Sequence, residues 1–170
     1  MTQAQAHKFK VTYSTLSSPD PLLHQMYDEA VAEFRANAGQ TYPMYINGEE
    51  RFAEQTFAKI SPTDTDLVMG HFQKGTEKDA NDAVAAAKAA YPGWRDTPWQ
   101  ERITLLRRAA DLLSERLFKM GAIMSLEVGK NRLEAMGDVE ETADLIRYNC
   151  DAMEQNNGFA KPLKNESEKH

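Results

Sequence analysis

The segment from Asp96 to Gln155 constrains the fold most, because its apolar residues recur at helical spacing through three stretches separated by stop signals. Thr97-Pro98-Trp99-Gln100 predicts a helix starting at Pro98, with Thr97 as N-cap, proline at the first helical position and Gln three residues after the cap. Ile103, Leu106, Ala110 and Leu113 then form an apolar stripe, widened by Leu105, Ala109 and Leu112, so this face is expected to be buried. A second, shorter helix carries Leu117, Met120, Met124 and Val128, with Ile123 beside them, and Gly129-Lys130 ends it as a C′ glycine does.

The third helix, Asn131 to Gln155, has two faces. One is an apolar stripe of Leu133, Met136, Val139, Ala143, Ile146, Cys150 and Met153. The other is a row of Gly137, Glu141, Leu145 and Tyr148, spaced by four, four and three residues. A small residue, a carboxylate, a Leu and a Tyr in one row suit either a solvated flank or the wall of a polar-tipped tunnel. Spacing alone favours the flank, because a lone Glu between apolar neighbours is usually just exposed.

Ahead of this run, Asp20-Pro21 reads as an N-cap and first position for a helix carrying Leu22, Leu23, Met26, Ala30, Phe34 and Ala38, up to Gly39. Tyr42 to Ile46 and Glu49 to Phe52 flank Asn47-Gly48, whose residues suit the two positive-φ positions of a type I′ hairpin turn. Thr56 to Ile60 and Leu67 to Phe72 read as two further strands joined by a turn-rich stretch from Ser61 to Asp66. Thr76 to Asp79 is a capping box opening an Ala-rich helix that Pro92-Gly93 is expected to bend or end. The expected class is α+β, mostly helical with a few short antiparallel strands. Residues 1–17 are expected to be an arm, 18–157 the folded body, and 158–170 the start of a strand at Phe159 or a truncated end.

At 170 residues the chain suffices for one domain. Its net charge of -6, with 26 acidic against 20 basic residues and no Lys/Arg block, gives a phosphate backbone little to bind, so nucleic acid is not an expected partner. The opening residues lack an apolar core of the signal-peptide kind, and no window approaches a membrane span, so a cytoplasmic protein without a membrane partner is expected. The apolar share is 41% and mean hydropathy is -0.63, slightly polar for a self-contained core. Lys164 to His170 shows no cap or closing element, which adds to the expectation of a lead portion of something longer.

The chemical motifs are few. His7, His24, His71 and His170 share no ligand spacing, and Cys150, the only cysteine, sits on the core stripe, where a free cysteine behaves as a small hydrophobe. Glu140 with Glu141, and Asp64 with Asp66, show no sign of burial, and Asn165-Glu166-Ser167 matches a glycosylation acceptor without a secretory context. Gly70 and Gly75 stand singly, so no phosphate cradle is present. Packing explains Trp94 and Trp99, at the junction of two helices, better than ligand stacking does.

Five words in order nevertheless carry a resemblance: Tyr42-Pro43 with Ile46-Asn47-Gly48-Glu49, Ile60-Ser61-Pro62-Thr63, Ala89-Ala90-Tyr91-Pro92-Gly93-Trp94, Glu101-Arg102-Ile103 with Leu106, and Leu126-Glu127-Val128-Gly129-Lys130. Together, over residues 42–155, they resemble the N-terminal part of the aldehyde dehydrogenase superfamily. The helix ahead of the first word and the wording of the last are similar to the branch that oxidises L-glutamate γ-semialdehyde. The resemblance implies an α/β fold of which residues 18–157 form the first part of the cofactor-binding domain. It further implies an NAD(P)-dependent oxidation by a cysteine nucleophile and a glutamate-activated water.

In that superfamily the nucleophile, the glutamate and the cofactor turn all lie downstream of the matched region, and Cys150 does not match the nucleophile's motif. No catalytic or cofactor-binding residue is therefore expected here. The resemblance places Gly137, Glu141 and Leu145 on the wall of the aldehyde entry tunnel, with Glu141 meeting the substrate's amino or imino group. A weaker correspondence sets Glu127 near a structural cation. The implied partners are the rest of the dehydrogenase chain, a small aldehyde and further copies of the enzyme. Such a lead portion should leave the strands at Met44–Ile46 and Leu67 to Phe72, and one face of the last helix, without partners in the chain. The other reading is a free-standing helical binding module.

Overall fold

The computed structural model describes residues 20–161. Helix α1 (Pro21–Ala36) opens where the Asp20 side chain accepts from Leu22 N, with Pro21 at its first position. Five short strands follow: β1 (Thr41–Tyr42), β2 (Met44–Ile46), β3 (Glu49–Arg51), β4 (Thr56–Ser61) and β5 (Asp64–Gln73). Four helices complete the body: α2 (Glu77–Asp96), α3 (Trp99–Glu115), α4 (Leu117–Val128) and α5 (Arg132–Gln155), the last followed by a 3-10 turn at Asn157–Phe159. This is the expected helical α+β arrangement.

Asn47 and Gly48 take φ of 57° and 77°, and β2 and β3 form the expected hairpin across them. Strand β4 pairs antiparallel with β5, but β1 pairs parallel to β5, with Thr41 opposite His71 and Tyr42 opposite Phe72. The all-antiparallel expectation is therefore corrected, and so is the expectation that the Met44–Ile46 and Leu67–Phe72 stretches lack partners, since β2 pairs with β3 and β5 with both β1 and β4. Pro43 has no N–H to give a ladder, so the run from Tyr42 to Ile46 splits there between two sheets.

Two helix ends also differ from expectation. Pro92 lies inside α2, which continues to Asp96. That helix has no buried residue, so water can meet the carbonyl that the proline leaves unpaired. The Thr97 hydroxyl donates to Gly93 O at 2.8 Å, closing α2 rather than capping α3, and Pro98 stands at the N-cap of α3.

The main core joins α1, α4 and α5 through Leu23, Tyr27, Leu117, Phe118, Ala122, Met136 and Val139. Each large apolar side chain fully buried there stabilises the fold by about 1.5–3 kcal/mol. Helix α3 packs on α5 through Ile103 and Ala110 against Ala143 and Cys150. Only this row of α3 is fully buried: Leu106 of the expected stripe and Leu105, expected to widen it, are 43% and 60% exposed, and Leu112 and Leu113 are half-buried. Val128 on α4 is likewise exposed, whereas Phe118, Gly121 and Ala122, which lay off the expected stripe, are buried. The sheet is tied to the helices by Ser61, fully buried, whose hydroxyl donates to Leu126 O at 2.5 Å.

Candidate functional site on the last helix

Helix α5 is set by signals at both of its edges. Gly129 adopts φ 78° to close α4, and the Asn131 side chain accepts from Leu133 N and Glu134 N at 3.1 and 3.0 Å to start α5. Burial of Ala135, Met136, Val139, Ala143 and Cys150 then fixes the helix's rotation, so the opposite residues face outward by necessity.

On that outward side Gly137, Glu141, Leu145 and Tyr148 lie as the spacing predicts. Glu141 is exposed, Leu145 and Tyr148 are 56% and 71% exposed, and a Cβ built on Gly137 meets nothing within 4 Å. The face is uncovered. Its carboxylates are not equivalent. Glu140 accepts from Ser114 Oγ, Asp144 from Arg147, and Asp151 and Glu154 from Arg107. Asp138 is ion-paired with Lys130. Glu134 and Glu141 have no such partner among the described residues. Asp138's hydrogen bond raises the Lys130 ammonium above its usual value, with the charges of Glu134 and Glu141 adding to the effect.

The Lys130–Asp138 pair escaped sequence reasoning, although its signal was available: Glu134, Asp138 and Glu141 stand at spacings of four and three just after Lys130.

The remaining candidates find structural places. Cys150 is 1% exposed and its thiol faces Ile103 O at 3.7 Å, as a core cysteine should. His24 Nδ1 lies 3.0 Å from Arg132, and His71 is in β5; His7, His170 and the Asn165-x-Ser167 motif lie outside the described residues. Glu127 belongs to no set of three or more His, Cys, Asp or Glu able to hold a metal among the described residues. Trp99 packs against Gly158, as expected of a packing residue, while Trp94 is 45% exposed on α2. Phe159 sits in the 3-10 turn rather than in a strand, and residues 162–170 lie outside the description. No glycine-rich strand-to-helix turn able to cradle a dinucleotide occurs among the described residues: β5 runs to α2 through Lys74-Gly75-Thr76, where Thr76 caps the helix. Among the described residues no helix is long and apolar enough to cross a membrane.

The model of the aldehyde dehydrogenase family fits residues 49–170, and the chain belongs to that family. It is similar to 1-pyrroline-5-carboxylate dehydrogenase of Staphylococcus saprophyticus, 35% identical over 129 residues that cover 76% of this chain and 25% of the relative. Two solved 1-pyrroline-5-carboxylate dehydrogenases superpose with a TM-score of 0.82. A mutant of the Thermus thermophilus enzyme is 29% identical, covering 92% of this chain and 30% of that one. A Thermus enzyme with bound NAD is 28% identical, covering 93% and 30%. The chain thus spans about a quarter of the length of the curated relatives it matches.

Proposed function

We propose that these residues form the first part of an NAD(P)-dependent dehydrogenase that oxidises L-glutamate γ-semialdehyde, the open form of 1-pyrroline-5-carboxylate, to L-glutamate in proline degradation. The likeness to enzymes of that name over most of this chain carries the reading. In it, Gly137, Glu141 and Leu145 line the passage by which the aldehyde enters. Glu141 is suited to that role because its carboxylate is unpaired and uncovered and the substrate carries a cationic nitrogen. Gly137 leaves room beside it, and Leu145 offers an apolar surface to the substrate's methylenes.

The reacting cysteine, the water-activating glutamate and the NAD or NADP site belong to the part of the polypeptide beyond this chain, for which the described residues offer no substitute. Exposed Tyr45 and Phe57 on the strands, Phe52 just after β3, and Val84, Tyr91 and Trp94 on α2, are surfaces that this remainder would cover. The whole enzyme is read as a cytoplasmic homo-oligomer.

The test is a full-length enzyme made by grafting residues 20–161 into the matching place of the Staphylococcus saprophyticus relative. NAD-dependent oxidation of the semialdehyde is expected. Glu141→Gln should raise KM about tenfold, as losing a charge-assisted contact of ~1.4 kcal/mol would, while kcat and the oxidation of an uncharged aldehyde stay the same. Semialdehyde oxidation by the isolated 170 residues, or no such oxidation by the grafted enzyme, overturns the reading, and an unchanged KM in Glu141→Gln overturns the entry-wall role of Glu141.

A further inference from the structure

The uncovered row on α5 places three carboxylates, Glu134, Asp138 and Glu141, within reach of one ammonium. Lys130 follows Gly129 in the turn between α4 and α5, and its Nζ pairs with Asp138 Oδ2. The two side chains are 40% and 38% exposed, so the pair is a partly solvated one that can rearrange. Glu134 stands one turn before Asp138 and Glu141 one turn after it, and neither has a partner among the described residues. Released from Asp138, Lys130 would compete with any ligand cation approaching Glu141, whose charge it already senses.

We propose that Asp138 is a positioning residue: by holding Lys130 on its own carboxylate it keeps that ammonium off Glu141, leaving Glu141 charged and free for the substrate's cationic nitrogen. The inference rests on the entry-wall reading of Glu141 given above. Without the Asp138 charge, Lys130 has two acidic neighbours left. Pairing with Glu141 neutralises the site and places a like charge beside the incoming ammonium. Pairing with Glu134 leaves the site open.

In the grafted full-length enzyme, Asp138→Asn is expected to raise KM for the semialdehyde about fivefold, the scale of one exposed ion pair, with kcat unchanged and an uncharged aldehyde unaffected. Asp138→Glu should keep the original KM. Adding Lys130→Met to Asp138→Asn should restore it, because the competing ammonium is gone. A merely structural ion pair would lower stability, affect all aldehydes alike and show no rescue. An unchanged KM in Asp138→Asn, an equal effect on the uncharged aldehyde, or no restoration in the double variant overturns the proposal.

An unchanged KM in Glu141→Gln overturns the entry-wall reading of Glu141, whereas a raised KM in Glu141→Gln beside an unchanged KM in Asp138→Asn overturns the present proposal alone.

Discussion

A Cβ on Gly121 would stand 2.9 Å from Met136 Cγ, so α4 and α5 approach as closely as they do because residue 121 has no side chain. Met136 is fully buried, and its backbone N and Cα lie 3.5 and 3.6 Å from the same point, so it has little room to move aside.

Gly121→Ala should therefore destabilise the chain by about 1–2 kcal/mol, overpacking outweighing the better helix propensity of alanine. Gly137→Ala, in the next helix but with open space around it, should stabilise by about 0.5–1 kcal/mol. Urea unfolding followed by circular dichroism separates the two; equal midpoints would contradict the packing difference.

Cys150 should behave as a core residue. Its sulfur is buried against Ile103 O, so a water-soluble maleimide should modify the native chain at least about 100-fold more slowly than free cysteine, with full reaction only in denaturant. Rapid stoichiometric labelling of the native protein would show that α3 and α5 separate there.

The start of α2 should be acid-sensitive. The Thr76 backbone N–H, then its hydroxyl, then Arg51 hold the Asp79 carboxyl down at about 2 from an ordinary 3.8. Because the folded value is the lower one, the unfolded chain binds more protons between the two. The stabilisation is complete above the ordinary value and is lost as pH falls from about 4 toward 2. Asp82 shifts in the same direction through Lys78 and Arg51, so Asp79→Asn isolates the cap. Amide exchange at Ala80 should accelerate over that window in the parent, beyond its intrinsic pH dependence. The variant should show weaker protection already at neutral pH and no such step.

The expected tunnel row could be placed before any coordinates, since a 3.6-residue repeat puts Gly137, Glu141 and Leu145 on one line whatever surrounds them. What the line faces could not. The same holds for Leu105 and Leu106, whose spacing promised burial but which stay exposed because α5 covers only the Ile103 and Ala110 side of α3.

From its residue order alone this chain declares where several of its helices and turns begin or end: Asp20-Pro21, Asn47-Gly48, Thr76 with Asp79, and Gly129 act on backbone groups no more than four residues away. Tertiary structure decided the parallel pairing of Thr41-Tyr42 with β5, the burial of Phe118 and Gly121 in place of Val128, and the capture of Lys130 by Asp138. Those outcomes depend on which surface arrives opposite each residue. Local spacing orients a side chain but does not record what it will meet.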